Sequence, residues 1–216
     1  MLVLVVGASR GTGAAMVREL VSAGHGVTGF ARSAPVDPVP GATYVAGDVM
    51  DAESIGKAVA GQAAVIVALG ISDHPIAVRL LRRASTPLDV RSAGTGVVVQ
   101  AMQESGVRRL VVQSTYGVGD TYARLSPMLK FVFSAVLRPQ VDDSARQESV
   151  VTRSGLDWTI LRPVALHDGE AEHPVTVRTD DTVVGMRVAR RQVAQVAASA
   201  LGDSATISQV LSVSHE

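Results

Sequence analysis

The stretch Val5-Val6-Gly7-Ala8-Ser9-Arg10-Gly11-Thr12-Gly13 joins an apolar run to an amphipathic one, and its reading decides the fold. The run before it, Leu2–Val6, is short, β-branched and unbroken by polar residues, as a strand buried on both faces would be. Residues 12–23 follow with apolar side chains at helical spacing. A strand, a Gly-rich turn and a helix are the setting in which such a turn cradles a pyrophosphate. Gly7 permits the tight turn. Gly11 and Gly13 let backbone and helix approach the phosphates, whose charge meets free N–H groups and the positive end of the helix dipole. Ser9, Arg10 and Thr12 complete the phosphate-facing turn.

Outward from this turn, strand-like and helical patterns alternate. Strands are expected at 27–31, Ala42–Ala46, 63–69, Arg109–Gln113 and 158–161, with helices at 52–60 behind the capping residue Asp51 and at Val90–Ser105, where Gly106 stops the pattern. Alternation with apolar strands predicts an α/β fold, a doubly wound, Rossmann-like parallel sheet with right-handed crossovers, in one domain spanning 1–216. The last third is less regular. Helices are expected at 126–137, 141–153 and 191–201, a polar loop at 166–174 and a final strand at 206–213, with substrate-side elements mainly within 116–180.

Composition narrows the function. Among 216 residues, 47% are hydrophobic, enough for a large core, and 20 basic residues balance 20 acidic ones with no long like-charge run. Nothing points to a nucleic-acid or anionic-membrane surface. The absence of cysteine removes thiolate catalysis, disulfides and Cys-based metal sites, so redox chemistry would need a cofactor. The first apolar run has no basic leader or cleavage pattern, and no window approaches the roughly 18 apolar residues of a membrane span, so a cytoplasmic protein is expected. The five histidines show no metal-ligand spacing. His167, beside Asp168 and Glu170, either lines a substrate mouth or is solvated.

The ends of the next strands set the cofactor. An acidic residue after the second strand commonly takes the ribose hydroxyls of NAD, and Phe30-Ala31-Arg32-Ser33 stands there instead. Arg32 with Arg10 either clamps the 2′-phosphate of NADP(H), for which a guanidinium offers a matched planar fork, or lies solvated on the surface. Asp48, in Gly47-Asp48-Val49, either reaches the adenine edge with Val49 or caps the helix that follows. Ala68, Leu69 and Gly70 end the fourth strand where backbone would approach the ribose.

On these residues the chain resembles the short-chain dehydrogenase/reductase superfamily, through Gly7 to Gly13 and Gly47-Asp48-Val49. It is more closely similar to the atypical, NmrA-like branch that includes biliverdin IXβ (flavin) reductases, through Asp142-Asp143, Ser154-Gly155-Leu156 and Thr159-Ile160-Leu161-Arg162-Pro163. The resemblance implies that Ser114 and Thr115 flank the nicotinamide and that Pro163 and Val164 close over its carboxamide side. It breaks at one point. The classical branch pairs a Tyr with a Lys four positions later, whereas Tyr116 is followed there by Asp120 and Tyr122 by Ser126, and the only lysines are Lys57 and Lys130. Thr115 and Tyr116 are the candidate catalytic groups, Tyr116 either donating a proton through its hydroxyl or a water, or packing.

Two functions fit. One is an NADPH-dependent reductase passing hydride to a flat small-molecule acceptor such as a flavin, a tetrapyrrole or a quinone, which needs little acid catalysis. The other is a non-catalytic NADP(H)-binding redox sensor or regulator of the NmrA type. It would present an apolar partner surface around 128–137, whose Phe131 and Phe133 could equally be core or a pocket lid. Homodimer formation is left open.

Overall fold

Strand β1 (Leu2–Val6) has Val3, Leu4, Val5 and Val6 all fully buried, because it lies in mid-sheet with helices on both faces. The computed structural model describes residues 1–70, 87–135, 137–171 and 173–215. In chain order the elements are β1, α1 (Gly11–Ser22), β2 (Gly26–Ala31), β3 (Ala42–Ala46), α2 (Ala52–Val59), β4 (Ala64–Val67), α3 (Val90–Ser105) and β5 (Arg109–Gln113). There follow α4 (Pro127–Ala135), α5 (Arg138–Thr152), β6 (Asp157–Pro163), β7 (Ala165–His167), β8 (Val175–Arg178), β9 (Arg187–Ala189), α6 (Arg190–Gly202) and β10 (Gln209–His215).

The main sheet has the order β3-β2-β1-β4-β5-β6-β10-β8. Every pairing in it is parallel except that of β8 with β10, so the expected doubly wound, Rossmann-like sheet gains one antiparallel edge strand. Side chains alternate across it with period two. Val3, Val5, Ile66, Val111 and Leu161 pack with Met16 and Leu20 of α1 and Val193 and Ala197 of α6. Leu4, Val6, Val65, Val67, Leu110 and Ile160 pack on the other face with Ile55 of α2, Val98 and Met102 of α3 and Val151 of α5.

Helix ends follow local chemistry. Asp51 caps α2, accepting from the Glu53 N–H at 3.2 Å and from the Ser54 hydroxyl at 2.5 Å. Gly106 ends α3 in the left-handed region at φ 71°, with the Val107 N–H reaching back to the Met102 carbonyl at 2.9 Å. Among the described residues no helix is long and apolar enough to cross a membrane.

The last third differs from the sequence reading in several segments. The expected loop 166–174 contributes Leu166 and His167 to β7, which pairs in parallel with β9 as a separate two-stranded sheet. Strands of three residues carry too little periodicity to be seen in advance. The last strand begins at Gln209, because residues 204–206 form a 3₁₀ turn capped by Asp203, which accepts from the Ala205 N–H at 2.9 Å. The fifth helix starts earlier than 141, at Arg138, where Pro139 suits a first turn.

Candidate functional site

At the C-terminal ends of β1, β2 and β4 lies a cavity of about 590 Å³. Its floor is the Gly-rich turn. Gly7, at φ 91°, donates its N–H to the Phe30 carbonyl at 2.8 Å, tying the turn to the end of β2. A Cβ on Gly7 would lie 2.5 Å from the Ala68 carbonyl oxygen, and one on Gly13 would collide with the Gly7 carbonyl. Helix α1 therefore starts against β1 and β4 at a distance only glycine allows. Arg10 is the N-cap of α1 but makes no side-chain capping bond, and the first turn holds no acidic residue. Gly11 and Thr12, the first two helical residues, line the cavity, so the uncapped helix N-terminus opens on it.

Of the residues expected to hold the cofactor, Gly7, Ser9, Arg10, Gly11, Thr12, Arg32, Asp48, Val49, Ala68, Leu69 and Gly70 all line this cavity. Gly13 lies beneath it, packed on Gly7. The alternative left open for Asp48 is decided against a capping role. Asp51 caps α2, while the Asp48 carboxylate turns back to accept from the Met50 N–H at 3.0 Å.

Ser114, Thr115, Tyr116, Pro163 and Val164 are not among the residues lining the cavity. Ser114, which the resemblance sets beside the nicotinamide, turns its side chain away from this lining. Its side chain is buried and its hydroxyl donates to Glu148 Oε1 at 2.6 Å. Glu148 in turn accepts from Arg162 Nε at 3.0 Å and Nη2 at 2.7 Å, and Arg162 Nη1 reaches Asp181 Oδ1 at 3.3 Å. Burial pushes the Arg162 pKa down, but Glu148 and Asp181 outweigh it and hold the guanidinium above its ordinary value. Tyr116 is also buried, its hydroxyl donating to the Asp181 carbonyl at 3.1 Å, and burial pushes its pKa up. The Thr115 side chain is half-buried, its hydroxyl 3.3 Å from the Tyr116 carbonyl. Pro163 ends β6 and Val164 follows it, the Pro163 carbonyl accepting the Tyr116 N–H at 2.9 Å.

The cavity has walls the sequence did not reveal. Pro87 comes from the turn before α3, Val90 and Arg91 from its start, Gln113 from the end of β5, Leu166 from β7 and Arg190 from the start of α6. Arg190 pairs with Asp168 at 2.8 Å, and its Nε would lie 3.6 Å from a Cβ on Gly11, so a residue late in the chain sits over the first turn of α1. The Gln113 Oε1 is buried without a hydrogen-bond partner among the described residues. No local motif marks these positions.

A dinucleotide fits these residues. The glycine cradle would be filled by any Cβ, the N-terminus of α1 is uncapped, and four arginines face one cavity. Comparison with known proteins agrees. Residues 7–204 match the model of a family described as NAD(P)H-binding, and the chain belongs to that family. An uncharacterized chloroplast protein of Arabidopsis thaliana is 28% identical over 211 residues, covering 92% of this chain and 71% of that protein. The fold is shared with ChuY, described as an anaerobilin reductase from Escherichia coli O157:H7, at TM-score 0.79 and 23% identity over 100% of this chain and 97% of that one. It is also shared with a short-chain dehydrogenase/reductase from Veillonella parvula, solved in complex with NADP, at TM-score 0.78 and 16% identity over 99% and 94% of the two chains.

Proposed function

We propose that the protein is a cytoplasmic NADPH-dependent reductase that passes hydride to a flat, delocalised small-molecule acceptor such as a flavin, a tetrapyrrole or a quinone. The observation that carries the reading is the glycine-floored cavity with Arg10 on its turn and Arg32 after β2, where NAD binders commonly carry an acid. When bound, NADPH supplies the hydride. The chain's own work is to bind and orient: backbone N–H groups at Gly11 and Thr12 meet the pyrophosphate, Arg10 and Arg32 meet the 2′-phosphate, and Asp48 and Val49 meet the adenine edge.

At the acceptor end, Thr115 and Tyr116 follow β5, with Pro163 and Val164 beside them, and the substrate-side elements fall mainly within 116–180. Tyr116 donates its hydroxyl hydrogen bond to the Asp181 carbonyl and has Asp120, not Lys, at the fourth position on, so in this reading it positions the wall rather than acting as an acid. An acceptor that delocalises the added charge suits a site so arranged. The fold neighbour described as an anaerobilin reductase supports a tetrapyrrole among the candidates.

The test is loss of NADPH absorbance with a panel of flavins, quinones and linear tetrapyrroles. Turnover with one of them is expected, and tight NADPH binding without turnover would favour a second reading, a non-catalytic redox sensor. That reading draws on α4, none of whose residues is buried, with Met128 and Phe131 exposed by 73% and 70%.

A further inference from the structure

Arg91 stands apart from the other three arginines of the cavity. Arg190 is paired with Asp168, and Arg10 and Arg32 are exposed, whereas the Nε and Nη1 of Arg91 are shielded from solvent and have no hydrogen-bond partner among the described residues. The guanidinium lies over Gly70, where a Cβ would sit 3.5 Å from Nη2.

Its position is set by the backbone. Asp143, fully buried on α5, caps α3 from outside, accepting from the Arg91 N–H at 3.0 Å through Oδ2 and from the Ser92 N–H at 3.2 Å and hydroxyl at 2.5 Å through Oδ1. The nearby acid is thus engaged by the helix start, and the Arg91 side chain makes no ion pair with it. Burial pushes the Arg91 pKa down, with Asp143 opposing. One turn on, at the spacing that shares a helix face, Gly94 packs on Val49 and Leu69, where a Cβ would lie 2.8 Å and 3.1 Å from their side chains. The face of α3 that carries Arg91 therefore borders the walls assigned to the adenosine half of the dinucleotide.

Guanidinium nitrogens removed from water with unmet donors are costly, and the groups that offset this best are anionic oxygens. We propose that Arg91 is a phosphate-binding residue of the cavity, holding a phosphate of the dinucleotide from the α3 wall. This rests on the dinucleotide reading above. The phosphate comes either from the pyrophosphate, shared by NADH and NADPH, or from the 2′-phosphate, present in NADPH alone.

The experiment is an equilibrium titration of NADPH and of NADH into the wild-type protein and the Arg91→Met and Arg91→Lys variants, followed by ligand fluorescence, with Tm measured for each. Arg91→Met is expected to weaken NADPH about tenfold to a hundredfold, the range for charge-assisted hydrogen bonds. An equal loss for NADH assigns the pyrophosphate, and an unchanged NADH affinity assigns the 2′-phosphate. The Tm of Arg91→Met is expected to hold or rise, because a half-buried charge with two unmet nitrogens has been replaced by an apolar chain. A residue kept only for structure would lower it. Arg91→Lys keeps the charge and is expected to show a smaller loss, so the proposal stays testable if the Met variant folds poorly. Wild-type binding with both variants within twofold of it would overturn the role of Arg91 alone. Absence of dinucleotide binding by the wild type would overturn the cavity reading with it.

Discussion

The Tyr116 hydroxyl donates to the backbone carbonyl of Asp181 across 3.1 Å, and Asp181 presents that carbonyl from a left-handed backbone at φ 61°. The Asp181 carboxylate is tied down as well, by Arg162 at 3.3 Å and by the Ser212 hydroxyl at 3.2 Å. The segment after β8 is thereby fastened to the end of β5, and Tyr116 is a tether.

Tyr116→Phe should accordingly leave kcat within about threefold, where loss of a general acid would cost roughly 10²–10⁴. Stability should fall by about 1 kcal/mol for the missing hydrogen bond. Burial raises the hydroxyl pKa above its ordinary 10.0, so the native state holds that proton more tightly than the unfolded chain. Its contribution is complete below pH 10 and is lost as pH rises through the raised native value. Denaturant titrations above that pH should show a shallower alkaline decline in Tyr116→Phe than in the wild type.

Glu148 and Arg162 form a two-point pair, Nε to Oε1 at 3.0 Å and Nη2 to Oε2 at 2.7 Å, with both side chains about nine-tenths buried. Removing one partner strands a buried charge, so Glu148→Ala should cost about 3 kcal/mol in urea unfolding. Glu148→Ala combined with Arg162→Met should cost less than the two single losses added together, since the residues share the interaction. Additive losses would show that the pair does not act as a unit.

Gly13 and Gly96 make a matched test of the turn. A Cβ on Gly13 would meet Gly7 backbone, which cannot yield, whereas one on Gly96 in α3 would meet nothing within 4 Å. Gly13→Ala should destabilise by about 1–3 kcal/mol and weaken NADPH binding more than tenfold. Gly96→Ala should stabilise by about 0.5–1 kcal/mol through helix propensity and leave binding unchanged.

The Gly-rich turn and the sheet were legible because their signals are local. Val3 to Val6 are apolar without interruption since each faces a helix layer, and Gly7 and Gly13 are required by contacts within one strand-turn-helix unit. Arg91 and Arg190 were not legible. Each reaches the cavity only because α3 and α6 begin at the same edge of the sheet as α1, and an arginine at a helix start reads as an ordinary surface residue. The inward turn of the Ser114 hydroxyl was not legible for a related reason. Its partner Glu148 lies 34 positions away on α5, so the hydrogen bond that turns the hydroxyl inward depends on tertiary packing.

At the acid end, Arg108 grips Asp157 through Nε at 3.1 Å and Nη2 at 2.9 Å, and these hydrogen bonds hold the Asp157 carboxyl below the usual aspartate value of 3.8. The stabilisation is present above pH 3.8 and is lost as pH falls through the lowered native value. The pair is largely exposed, so Asp157→Asn should cost under about 1 kcal/mol at neutral pH and flatten the acid side of the stability profile below about pH 4.

The most direct test of the account is a calorimetric titration of the wild-type protein with NADPH and with NADH, repeated on Arg32→Glu. One site per chain is expected, with NADPH bound at least tenfold more tightly than NADH and that preference lost in Arg32→Glu. Binding of neither dinucleotide, or equal affinity for the two in the wild type and the variant, would contradict it.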